Sequence, residues 1–115
     1  MNKRKKGAEY EEKAALYLAG KGYEILERNF YTCYGEIDLI ARDGDTIVFL
    51  EVKYRKNLQG GYPQEAVTFQ KRQRIIWSAR YYLYKNRVCE IPCRFDVVAI
   101  TGEEIVHIRN AFEAR

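Results

Sequence analysis

Long apolar runs are missing from this 115-residue chain: stretches such as Ile47–Leu50 and Val97–Ile100 are four residues long, against the roughly 20 needed to cross a bilayer. No membrane span is expected. Proline is scarce at two residues and glycine modest at eight, which excludes collagen-like, proline-rich and low-complexity chains. Cys33, Cys89 and Cys93 leave one cysteine over if any two are bridged, so no disulfide framework is implied and partly buried, reduced thiols are expected. With the single histidine, His107, they match no common zinc spacing. The basic start Lys3-Arg4-Lys5-Lys6 is followed by Glu9-Tyr10-Glu11-Glu12 rather than by an apolar segment. No secretory signal is read there, and a cytoplasmic location is expected.

What is present describes one folded unit. Hydrophobic residues make up 47% and charged residues 31%, enough apolar material for a single core at this length. Residues 1–6 are expected to form a flexible basic terminus and residues 7–115 one domain. The net charge of +4 permits a polyanionic partner without requiring one.

Apolar and small residues recur at helical spacing from Ala8 to Ala19, and Gly20 and Gly22 supply a stop. Tyr23 to Tyr31 is rich in aromatic and aliphatic residues and predicts a strand. Glu36–Ala41 and Ile47–Lys53 flank Asp43-Gly44-Asp45 and predict a hairpin. Glu65–Lys85 has the apolar spacing of a long amphipathic helix with a basic outer face. Arg94–Thr101 and Glu104–Arg109 flank the turn Thr101-Gly102-Glu103 and predict two closing strands. The order αβββαββ implies an α/β or α+β domain, its mixed sheet flanked by helices.

The hairpin carries charges where a buried strand should be apolar: Asp38 between Ile37 and Leu39, and Glu51 and Lys53 around Val52. In a strand, residues two apart share a face, so Glu51 and Lys53 project together. If Asp43-Gly44 form the two-residue loop, Glu36 faces Glu51 and Asp38 is its diagonal neighbour. If Gly44-Asp45 form it, Asp38 faces Glu51. Both registers bring the two carboxylates within roughly 5–8 Å on one face. Like charges so close raise a pKa or recruit a cation, and Mg²⁺ is commonly held by one or two carboxylates with substrate phosphate. Asp38 and Glu51 are therefore the candidate metal ligands. Lys53 can orient an attacking water and offset charge on an attacked phosphate. The competing account is an ion-pair cluster that fixes strand register.

The pattern Gly35-Glu36-Ile37-Asp38, twelve residues, then Glu51-Val52-Lys53 resembles the D…ExK signature of the PD-(D/E)XK nucleases. Their restriction-endonuclease-like core has the same element order. With Gly7-x3-Glu11-x2-Ala14, Gly22-Tyr23, Arg28-Asn29, GEIDLIARDG, VFLEVKYR, Glu65-Ala66-Val67 and Arg94-Phe95-Asp96-Val97-Val98, nearly the whole chain is similar to the YraN family of small bacterial proteins. That family is regarded as nucleases similar to archaeal Holliday-junction resolvases. The resemblance implies an Mg²⁺-dependent endonuclease, with Mn²⁺ as a substitute, acting on DNA, including branched or junction DNA, as a homodimer. It makes Asp38 and Glu51 metal ligands, Lys53 the catalytic lysine and Glu11 an acidic helper from the first helix. Tyr10 stands where many members have glycine, a departure that bears on how that helix approaches the site.

Several residues have two readings. Glu11 is otherwise a solvated acid near a helix start, and Glu36 an outer support for the site or a rim charge. Lys71, Arg72 and Arg74, with Arg80, are candidate phosphate contacts, and Trp77, Tyr81 and Tyr82 can stack on bases, or these are simply the outer and inner faces of a helix. Gly60-Gly61 reads as a loop beside the site that admits a strand, or as a plain connection. Asp96 reads as a structural partner for an arginine. The alternative to an enzyme is a non-catalytic nucleic-acid-binding module, and RNA stays open beside DNA.

Overall fold

Helix α1 (Lys3–Gly20) is followed by strands β1 (Glu24–Thr32), β2 (Gly35–Asp43) and β3 (Thr46–Arg55), helix α2 (Phe69–Lys85), and strands β4 (Cys93–Thr101) and β5 (Glu104–Phe112). The structure is a computed structural model that describes residues 3–55 and 67–114. The strands form one sheet in the order β1-β2-β3-β4-β5. Neighbours are antiparallel except β3 and β4, which are parallel, with α2 as the crossover between them. This is the expected α+β order, compatible with a restriction-endonuclease-like core.

The two helices cover opposite faces because β2 and β3 are apolar on both. Along β3, Ile47 and Phe49 join Ile75, Ile76, Ala79 and Tyr82 of α2 in one cluster. Val48 and Leu50 join Ala14, Ala15 and Leu18 of α1 in another. A continuous apolar run is what burial on both faces requires. Small alanines on α1 let that helix lie close to the sheet. No described helix is long and apolar enough to cross a membrane.

Several boundaries differ from the sequence reading. Helix α1 begins at Lys3 rather than Ala8, so residues 3–6 of the basic terminus are its first turn. Helix α2 begins at Phe69 rather than Glu65, because Thr68 caps it: its extended backbone stops the helix and its Oγ1 accepts the Lys71 N–H at 3.2 Å. Glu65, Ala66 and the Gly60-Gly61 loop lie outside the described residues. Strand β5 runs on to Phe112 because a register shift between Phe95 and Val97 lets pairing resume beyond Arg109. The three cysteines, expected to be partly buried, are free and exposed, since each lies in or beside a turn or loop. Tyr82 is buried whereas Trp77 and Tyr81 are exposed.

At the β4–β5 shift sits Asp96, 1% exposed. It accepts from Arg94 Nε at 2.9 Å, lies 2.7 Å from His107 Nε2 and accepts the Asn110 N–H at 2.9 Å. Burial alone would raise its carboxyl; His107, Arg94 and the Asn110 amide outweigh that and hold it below the usual range. The reading of Asp96 as an arginine's structural partner holds, with His107 added.

Candidate functional site

Strands β2 and β3 pair only from Leu39↔Leu50 to Asp43↔Thr46. Gly44-Asp45 is thus the hairpin loop, with Gly44 at φ 63°, and Asp38 and Glu51 stand just beyond the last β2–β3 pair. Beyond that point the strands fork. The end of β3 stays with β4, from Glu51↔Val97 to Arg55↔Thr101, while the start of β2 stays with β1 through Ile37, Glu36 and Gly35. A fork leaves backbone groups to satisfy, and Asp38 Oδ2 accepts the Val52 N–H at 2.8 Å.

The notch holds the charged residues. One part, about 220 Å³, is lined by Gly35, Glu36, Asp38, Glu51, Lys71 and Arg74. An adjoining cleft of about 330 Å³ adds Glu11, Lys53, Tyr10 and Tyr54. Carboxylate oxygens of Glu11, Glu36 and Asp38 lie within 4.8 Å of one another. Burial first, and then the charge of Glu51, pushes the Asp38 carboxyl up to about 8, with the Val52 amide pulling the other way. Burial and then Glu36 raise the Glu11 carboxyl, partly offset by Asn29. Asn29 bridges the pair: its Nδ2, in the amide orientation that satisfies all partners, donates to Glu36 at 3.0 Å and to Glu11 at 2.7 and 2.9 Å. Glu51, 3% exposed, is 2.6 Å from Lys71 Nζ and 3.4 Å from Lys53 Nζ. Burial disfavours the Lys71 ammonium, but its hydrogen bond to Glu51 outweighs this and holds it above its ordinary value.

Crowded, half-buried carboxylates with only oxygen donors are a site that a hard divalent cation satisfies. The structure thus brings Asp38, Glu51, Lys53 and Glu11 to one cleft, with Lys71 and Arg74 at its wall. Arg72 points elsewhere: its Nε donates to the Val67 carbonyl at 3.0 Å and its guanidinium lies 5.5 Å from the Phe112 ring centre. Within the expected ligand pair, Asp38 belongs to the acidic trio while Glu51 is held by two lysines. Tyr10 stacks on Tyr54 with ring centres 3.9 Å apart, so the residue at the departure from the family pattern forms the cleft rim.

Sequence reasoning missed Asn29 as the bridge between Glu11 and Glu36, and Lys71 as the shortest partner of Glu51. A trace of the first was there in Arg28-Asn29: Asn29 has φ 51°, the left-handed region that asparagine tolerates better than most residues.

Residues 10–100 match the family described as "Uncharacterised protein family UPF0102". The chain belongs to the UPF0102 family. This is the family whose YraN members the sequence resembles. A UPF0102 protein of Lachnoclostridium phytofermentans is 52% identical over 99% of this chain and 98% of its own length. One of Clostridioides difficile is 47% identical over 97% of this chain and 100% of its own. One of Persephonella marina is 45% identical over 94% and 93%. The UPF0102 match includes every cleft residue from Tyr10 to Arg74.

Proposed function

We propose that this UPF0102 protein is a divalent-cation-dependent endonuclease that hydrolyses DNA phosphodiester bonds, with branched or junction DNA as its substrate class. The observation that supports this most is the acidic trio Glu11, Glu36 and Asp38, its oxygens within 4.8 Å, in a cleft walled by Lys71, with Arg74 in the adjoining part beside Glu36 and Asp38. Asp38 and Glu51, with Glu11 and Glu36 beside them in the cleft, would hold Mg²⁺, and Mn²⁺ in its place. Such a cation, when bound, acidifies water and withdraws charge from the attacked phosphate. The chain's own groups supply the rest. The Val52 amide fixes Asp38, and Asn29 fixes Glu11 and Glu36. Lys53 and Lys71 hold Glu51 and offer ammonium protons to phosphate oxygens. The water oxygen gives up a proton to solvent as it forms the new bond to phosphorus, and as the ester bond breaks the leaving oxygen takes a proton from solvent. Two copies would present two such clefts to two strands, the homodimer that a junction substrate calls for, acting in the cytoplasm.

A second reading rests on Glu51, which Lys71 and Lys53 already neutralise: a nucleic-acid-binding module without turnover. Labelled linear, forked and four-way-junction DNA, incubated with wild type, Asp38→Asn and Glu51→Gln in Mg²⁺, Mn²⁺ or chelator, separates the two. Cleavage that needs the cation and falls at least about 100-fold in both variants, with binding retained, supports the enzyme. Binding without cation-dependent cleavage by wild type on every substrate leaves the module.

A further inference from the structure

Beside the cleft, on the side where β1 turns into β2, the surface changes from acidic to aromatic and basic. Tyr31 and Tyr84 are 70% and 83% exposed, and Tyr34, Trp77 and Tyr81 are between 42% and 48% exposed. Water-facing rings on this scale are not needed for folding. They are ordered by position: Arg74, Trp77, Tyr81 and Tyr84 are spaced three, four and three residues apart on α2 and so share one face. At about 1.5 Å per residue, that stripe leads away from Lys71 for roughly 20 Å.

The platform is fixed in place. Thr32 Oγ1 is 2.8 Å from Ser78 Oγ, joining the β1–β2 turn to α2. The same oxygen accepts the Tyr34 and Gly35 N–H groups at 3.0 and 3.1 Å. Tyr34 is thereby stacked on Trp77, ring centres 5.8 Å apart, with Arg80 5.1 Å from the indole centre. Next to this stack, a slot of about 350 Å³ opens between Tyr31 and Tyr81, floored by Thr32 and Cys33. Tyr31 also lines the pocket that holds Glu11, Asn29 and Glu36, so one ring borders both the slot and the acidic side of the sheet edge.

Charge identifies the occupant. Helix α2 contains no acidic residue and five basic ones, Lys71, Arg72, Arg74, Arg80 and Lys85. Arg74, Arg80 and Lys85 form no ion pair among the described residues. Rigid exposed rings with unpaired cations between them are what an unpaired polynucleotide uses, bases on the rings and phosphates on the cations. A duplex, whose bases are already stacked, gains only the second part.

We infer that the Tyr31/Tyr34/Trp77/Tyr81 surface binds an unpaired stretch of DNA leading into the acidic cleft, so that the substrate is DNA with a single-stranded segment next to the scissile bond. Its placement at the cleft rests on the nuclease reading; the binding itself does not. Trp77 is the only tryptophan, so its emission reports the contact directly. Titrating the full chain in chelator with an oligothymidylate of about 16 nucleotides should quench Trp77 saturably. Tyr34→Ala and Trp77→Ala, followed by anisotropy of labelled DNA, should weaken that binding roughly 5- to 100-fold. Trp77→Phe should keep most of it, and affinity for blunt duplex should be unchanged in all three. No quenching, equal losses on duplex, or tighter binding of an oligouridylate each overturns the inference. If wild type cleaves DNA with Mg²⁺ yet shows no quenching, only this inference falls. If quenching occurs without cleavage of any substrate, the nuclease reading falls and the platform stands.

Discussion

Without divalent cation the fold should lose stability as pH rises from about 5 to 8, and Asp38→Asn should abolish most of that loss. The Asp38 carboxyl moves from 3.8 to about 8 on folding, through burial and then the charge of Glu51. Between those values the folded protein keeps a proton that the unfolded chain has released. The contribution is therefore fully present below pH 3.8 and gone above about 8, with a slope near 1.4 kcal/mol per pH unit while the proton difference is complete. Three units between pH 5 and 8 set a ceiling of about 4 kcal/mol, a large part of the total stability of a small domain. Glu11, raised in the same direction by burial and Glu36, adds to the fall from the acidic end. Asp96, held low by His107 and Arg94 against its burial, gives stability that is complete above its unfolded value and lost only at lower pH. Urea unfolding in chelator, followed by Trp77 fluorescence at several pH values, should show a drop of about 2–4 kcal/mol in wild type and only the shallower fall left by Glu11 in Asp38→Asn. Saturating Mg²⁺ should restore more stability at pH 8 than at pH 5, because it binds the ionised form. A wild-type curve that rises with pH, or an unchanged slope in Asp38→Asn, would refute the account of the cleft as a site of crowded charge.

Two further outcomes test the scaffold. Asp96→Ala leaves half-buried Arg94 and His107 without their shared, fully buried carboxylate, and should cost about 3–5 kcal/mol in urea unfolding; a loss below about 1 kcal/mol would mean the network contributes little. Thr68→Ala removes the side-chain acceptor for the Lys71 amide and should cost about 1 kcal/mol by the same measurement.

The element order and the two-face burial were legible because they follow from periodicity: Ile47–Leu50 has no polar side, and Ile75, Ile76, Ala79 and Tyr82 recur at helical spacing. What decides the site is less periodic. The loop residues Asp43-Gly44-Asp45 admit two registers, and only the fold selects Gly44-Asp45. Lys71 and Arg72 are adjacent and both basic, yet one helical step of about 100° sends the first to Glu51 and the second to Phe112. Asn29 reaches Glu11 and Glu36 because of a left-handed backbone that no strand pattern encodes. The extension of β5 to Phe112 is hidden in the same way by the shift around Asp96.

The fork between β2 and β3 makes one amide unusual. Val52 N–H is bonded to the Asp38 side chain, so protonation of that carboxyl or capture of a cation by it alters the acceptor this amide sees. A single resonance, the backbone N–H of Val52, is consequently a built-in gauge of cleft occupancy, readable in an ¹⁵N-labelled sample before any substrate is known.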